Sequence, residues 1–256
     1  MISKNIPILE FSSNLNLVDE IKSILQKNEF ILIKNLDFEN YQKTCRSLGK
    51  LNDRYGEFYE VIDSGIDYKS TNIPISQTRE DTGVHTDSSA KVFNPNYVSL
   101  FCHNQGMAGG DSYFVDMRLV FEIMRKNDSG LIEYLCRDFY RDVITPGDIN
   151  NIENIKKNKF PIIKIMDGHL SQFRYMRYWI ERAYEKLNVQ NELDKKMLDR
   201  LDEYLIDSQF RFQFKLNCHE AVIFNNNYFP HGRTQYLEDP INKRRLTRVW
   251  FESIEF

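Results

Sequence analysis

Nowhere in the 256 residues do eighteen apolar residues run together, so no segment reads as a transmembrane helix and no membrane partner is expected. The amino-terminal MISKNIPILEFSSNLN has no apolar run leading to a small-residue cleavage site, which makes the cytoplasm the expected setting. Cysteine is scarce. Cys45, Cys102, Cys136 and Cys218 are widely spaced with no C-x-x-C pair, a pattern that suggests neither a disulfide framework nor a zinc ribbon and predicts reduced, mostly buried thiols. An excess of either charge is also missing. Thirty-four Lys and Arg stand against 37 Asp and Glu, a net charge of −3, so the chain lacks the basic field that collects phosphates, and nucleic acid is not an expected partner. No Gly-rich phosphate loop opens a helix, which leaves doubly wound nucleotide folds without support.

Present instead is bulky core material: aromatic residues make up 13% of the chain, with Phe 18 and Tyr 14, far more than disordered chains carry. The length suits a single domain spanning 1–256. Ile6 to Leu9 reads as a short strand. Leu17, Val18, Ile21, Ile24 and Leu25 recur at helical spacing, Phe30 to Ile33 forms a compact strand, and Phe38, Tyr41, Cys45 and Leu48 mark a second helical face ending at Gly49. Residues 63–84 are polar and aperiodic, and a connection of that length in a compact domain is expected to be a functional loop. Further strands are expected at Tyr97 to Cys102, Ser112 to Val115, Ile162 to Ile165, Phe210 to Leu216 and Arg244 to Glu252, with a helical insert around 178–207. The expected fold is mainly β with helices, a jelly roll decorated by α-helices.

His85-Thr-Asp87 sets an imidazole and a carboxylate two residues apart, on one face if the segment is a strand. Five histidines among 37 acidic residues yield about one such pair by chance. The second cluster, Asn225 to Tyr236, adds His231, and Lys243-Arg-Arg-Leu-Thr-Arg248 then supplies a cationic strand. Two histidines and one carboxylate can occupy one face of an octahedral ferrous ion and leave three positions open. Arginine suits a dicarboxylate cosubstrate because its planar fork meets a carboxylate with two parallel hydrogen bonds.

In these pieces the sequence resembles the Fe(II)/2-oxoglutarate-dependent dioxygenases of the taurine dioxygenase and clavaminate synthase-like group. His85-Thr-Asp87, Gly109-Gly-Asp-Ser112, His231-Gly-Arg and Arg244-x-Leu-x-Arg248 occur in the group's order. The resemblance implies a double-stranded β-helix, with His85, Asp87 and His231 holding iron and with 2-oxoglutarate and O2 as cosubstrates. It places Arg244 and Ser112 at 2-oxoglutarate, and Arg248 at an acidic group of a small, amino acid-like substrate; Ser88 beside the ligand motif is a further candidate substrate contact. The implied reaction is hydroxylation of an unactivated C–H bond. Arg245, adjacent to Arg244 and on the opposite side of the same strand, takes the cosubstrate role if the register slips by one.

Other readings compete for these residues. A metal-dependent hydrolase could use the same ligands around zinc but would want another carboxylate as base. A noncatalytic jelly-roll binding protein would need none of the ordered set. His103, His169 and His219 have no paired spacing and are not expected to bind metal. The run Phe173 to Trp179, which interleaves bases with aromatics, reads as a strand passing into a helix. Assembly of identical chains stays open.

Overall fold

A computed structural model describes residues 6–12, 16–65, 75–90, 93–142, 152–189, 191–207 and 209–256. Its strands are β1 (Ile8–Glu10), β2 (Phe30–Lys34), β3 (Gly49–Leu51), β4 (Tyr59–Ile62), β5 (Tyr97–Asn104), β6 (Ala108–Gly109), β7 (Ser112–Val115), β8 (Asp138–Tyr140), β9 (Lys159–Pro161), β10 (Ile163–Met166), β11 (His169–Phe173), β12 (Arg211–Phe214), β13 (Ala221–Asn225), β14 (His231–Arg233), β15 (Tyr236–Leu237) and β16 (Arg245–Ile254). The helices are α1 (Leu17–Asn28), α2 (Phe38–Leu48), α3 (Met117–Asn127), α4 (Ser129–Leu135), α5 (Ile152–Lys157), α6 (Arg177–Leu187) and α7 (Glu192–Ile206).

Alternation along the strands explains the layers. The major sheet runs β1-β2-β13-β5-β16-β3, with β4 also on β16; β1 lies parallel to β2 and the other pairs are antiparallel. On β2 and β13, Ile31, Ile33, Ala221 and Ile223 face one cluster with α1 and α2, while Phe30, Leu32, Val222 and Phe224 face another. Both faces are buried, which is why Phe30-Ile-Leu-Ile reads as an unbroken apolar run. The second sheet is β12-β7-β14. Its Phe114 meets Phe30 edge-on at 4.9 Å and Phe224 at 5.0 Å between ring centroids, closing the two sheets into a jelly roll around an aromatic centre.

The helices are capped and patterned as their sequences require. Leu17, Ile21 and Leu25 put one buried stripe on α1. The Asp37 carboxylate accepts from the Asn40 N–H at 2.8 Å and so caps α2. A third cluster packs α3, α4 and α7 against Val115, Ile163 and Phe173. No helix among the described residues is long and apolar enough to cross a membrane.

The expected jelly roll with helices is what the structure shows, and among the described residues helices and strands each make up about a third, the 117–135 segment forming α3 and α4 with Val120, Phe121 and Met124 on the buried face. Several finer expectations need correction. Phe210 to Leu216 is a strand only over Arg211–Phe214. Phe210 sits in the turn after α7 and joins the helical cluster, while Phe212, Phe214 and Leu216 pack between the sheets. The strand expected at Ile162 begins at Ile163. Two of the four thiols, Cys136 and Cys218, are exposed; Cys45 and Cys102 are buried, and burial pushes Cys102 up to about 12.

Candidate metal and cosubstrate site

The site forms where β14 and the segment before Asp87 meet. His85 and His231 exchange both backbone hydrogen bonds at 2.8 Å, a single antiparallel bridge between that segment and β14. On the other side β14 pairs with β7, setting Tyr113 opposite Gly232 and Phe114 opposite His231. A Cβ at position 232 would sit 2.3 Å from the Tyr113 ring, so the residue after His231 has to be glycine for the two strands to close.

His85 and Asp87 do not share a regular strand, as the two-residue spacing predicts. The chain turns after the bridge, with Ser88 in the left-handed region at φ 57. The three candidate side chains still converge: donor atoms of His85, Asp87 and His231 lie within 4.8 Å of one another. His231 Nε2 is 3.9 Å from Asp87 Oδ1. His85 Nδ1 lies 2.9 Å from the Gly83 carbonyl, which fixes the tautomer and turns the Nε2 lone pair toward the cluster. Burial lowers the affinity of both rings for protons, His231 to about 3, which leaves neutral imidazoles able to offer a lone pair. Burial alone would raise Asp87, but the Arg248 guanidinium and the two histidines outweigh it and hold the carboxyl below its usual range. Two neutral imidazoles and one carboxylate are the donor set for ferrous iron with open positions.

A cavity of about 60 Å³ opens beside the cluster, lined among others by Ser112, Arg244, Leu246 and Arg248. The register is the one that puts Arg244 inward. Arg244 is 4% exposed, whereas Arg245 is exposed and faces His103 and Glu60 on the outer side. Arg244 lies over the Tyr236 ring, 5.1 Å to its centroid, and its Nε finds no hydrogen-bond partner among the described residues. Gly110, at φ 74, keeps the approach open: a Cβ there would stand 3.3 Å from that Nε.

The other expected contacts are placed differently. Arg248 lines the cavity, but its Nη1 donates to Asp87 Oδ1 at 3.1 Å and its guanidinium lies over Tyr59 and Trp250. The anion it requires is supplied by the protein itself. Ser88 is not in the cavity lining; its hydroxyl donates to the Phe93 carbonyl at 2.6 Å. Of the 63–84 stretch, 66–74 lie outside the described residues, and its end is stitched down. Arg233 Nη1 donates to the Thr78 carbonyl at 2.8 Å and Nη2 to the Glu80 carbonyl, and Tyr113 donates to Asp81 at 2.6 Å.

Arg233, Asn226 and Trp250 were not singled out by sequence reasoning. Asn226, fully buried, accepts from the Asp87 N–H at 2.9 Å and donates to the Asp87 carbonyl at 3.1 Å. Trp250 Nε1 donates to Asp87 Oδ2 at 2.6 Å. Two-residue alternation from Arg248 would have pointed to Trp250; nothing local marks Asn226, because its partner is 139 residues away.

A jelly roll with a buried His-x-Asp and distant His cluster at the mouth of an arginine-ended cavity defines a class of non-haem metal oxygenases. The sequence bears this out: residues 4–250 match the model of the taurine catabolism dioxygenase TauD, TfdA family, and the chain belongs to that family. It is 26% identical over 182 residues to a uridine-5'-phosphate dioxygenase of a Streptomyces species, covering 68% of this chain and 63% of that protein. It is 24% identical over 183 residues to human gamma-butyrobetaine dioxygenase, covering 71% of this chain and 46% of that one. The matched region is thus under two thirds of either relative's length. Among solved structures, asparagine oxygenase superposes with a TM-score of 0.69 at 13% identity, covering 92% of this chain and 78% of that one; its complex with Fe(II), 2S,3S-3-hydroxyasparagine and succinate gives 0.67 at the same coverage.

Proposed function

We propose that this chain is an Fe(II)- and 2-oxoglutarate-dependent oxygenase that hydroxylates an unactivated C–H bond of a small, amino acid-like carboxylate. One observation carries the reading. The ligand cluster and the buried Arg244 border the same cavity, one suited to a metal and the other to the far carboxylate of a dicarboxylate. His85, Asp87 and His231 would hold the iron, which with 2-oxoglutarate and O2 supplies the oxidising chemistry. Arg244 would pair with the distal carboxylate of 2-oxoglutarate, and the Ser112 hydroxyl would reach the same molecule. The protein's task is orientation and exclusion of water. Residues 63–84, running into His85, suit a lid that shields the reacting centre. The 178–207 helices are then an insert in a single 1–256 domain.

An amino acid-like substrate draws support from asparagine oxygenase, whose structure holds 2S,3S-3-hydroxyasparagine beside Fe(II) and succinate, and from the gamma-butyrobetaine dioxygenase relative. Because Arg248 already neutralises Asp87, its contribution to substrate binding is through the guanidinium nitrogens that Asp87 does not use. A hydrolase is less well served, since Asp87 is the single acidic residue in the described cavity lining and no second carboxylate stands ready as base. The test is succinate release with ferrous ion and 2-oxoglutarate across a panel of amino acids and small acids, followed by product mass. A gain of one oxygen supports the proposal. A preparation that binds ferrous ion but neither binds 2-oxoglutarate nor forms succinate contradicts it.

A further inference from the structure

Asp87 is held at every polar atom it has. Its backbone N–H and carbonyl are both read by the buried Asn226 amide. Its Oδ1 accepts from Arg248 at 3.1 Å and is the oxygen nearer His231, 3.9 Å from Nε2. Its Oδ2 accepts the indole N–H of Trp250 at 2.6 Å. An indole N–H is one fixed donor with no acceptor capacity, and Trp250 is itself held against the Tyr55 ring, 5.6 Å between centroids, and the Arg248 guanidinium, whose Cζ is 4.9 Å from the Trp250 ring centroid.

We infer that Trp250 is a positioning residue that keeps Asp87 to a single metal-facing oxygen. The inference rests on the metal reading above. With Oδ2 bound to the indole, only Oδ1 is turned toward the histidines. A carboxylate released from that bond can rotate its second oxygen onto the ion. It would then fill one of the three positions that a facial triad leaves open, and those positions are what the cosubstrates need. Arg248 bonds Oδ1 and cannot prevent this rotation by itself, so the two donors divide the work: Arg248 offsets the charge and Trp250 sets the denticity. Partners of metal-bound side chains commonly govern ligand orientation in this way.

The experiment loads the full chain with Mn(II) and measures water-proton relaxivity, which counts exchangeable waters on the ion. Wild type should behave as a three-water site. Trp250→Phe, which keeps the ring and loses the donor, should lose about one third of that relaxivity as three open positions become two. Equal relaxivity in the two proteins overturns the inference while leaving the metal site standing. Failure of wild type to bind Mn(II) or Fe(II) overturns the metal reading and this inference with it. A second measurement needs no site variant: the indole N–H of Trp250 in 15N-labelled protein, assigned with Trp179→Phe, should stay protected from solvent exchange when Zn(II) is bound. Rapid exchange on metal loading contradicts the proposed bond.

Discussion

The two ends of the cavity are built on opposite plans. At the Asp87 end each carboxylate oxygen and the backbone beside it already has a protein partner. At the Arg244 end a guanidinium is buried with its Nε lacking one, and its burial lowers its hold on the proton. Desolvating a cation is costly and Tyr236 and Glu238 only partly offset it here, so folding accepts at one end a cost that an arriving carboxylate would reduce. The first end is organised before any ligand comes; the second is completed by one. On the proposed function, preorganisation at the first end would serve a resident metal, and an incomplete partner set at the second would serve a cosubstrate that enters at every turnover.

The largest effect should come from removing a ligand at the organised end. His85→Ala and His231→Ala should abolish turnover and strongly weaken Fe(II) binding, measured by chelator competition, with the fold retained by circular dichroism, because a three-ligand site has none to spare. Full activity in either variant would break the ligand assignment. At the other end, Arg244→Ala should raise the 2-oxoglutarate KM by roughly thirtyfold to several thousandfold, corresponding to about 2 to 5 kcal/mol for a buried carboxylate left without its partner. Arg245→Ala, on the outer face, should leave it within about twofold, as exposed pairs contribute little. A reversed ranking would move the cosubstrate site.

Smaller changes sharpen the contrast. Arg233→Ala strips the buried Thr78 carbonyl and the part-buried Glu80 carbonyl of their donor and should destabilise the protein by about 1 to 3 kcal/mol in denaturant unfolding. Ser88→Ala should do least, costing about 1 kcal/mol through the lost bond to Phe93, with no change in substrate KM because its hydroxyl is turned away from the cavity. A large rise in substrate KM would return Ser88 to the site.

Much of this arrangement can be read from the chain. α1, α2, β2 and β16 follow from residue periodicity; β16 begins at Arg245, one residue after the expected start at Arg244, yet Arg244 and Arg248 both reach the cavity as the spacing predicts. What escaped reading was settled by distant contacts. α3 and α4 take their place from packing with α7. The Arg248 partnership depends on a carboxylate 161 residues earlier, so reasoning from strand periodicity rightly required an anion and looked for it in the substrate. His85 and His231 meet through a single backbone bridge between segments far apart in the chain, a pairing that no local pattern signals.

Anaerobic titration of the metal-free protein with Fe(II) and then 2-oxoglutarate tests the central claim most directly. The account predicts the weak visible charge-transfer band that this family displays, appearing only when both are present, lost in His231→Ala, and requiring far more 2-oxoglutarate in Arg244→Ala. A wild-type protein that binds Fe(II) yet shows no band at saturating 2-oxoglutarate, or a band unaffected by Arg244→Ala, would contradict it.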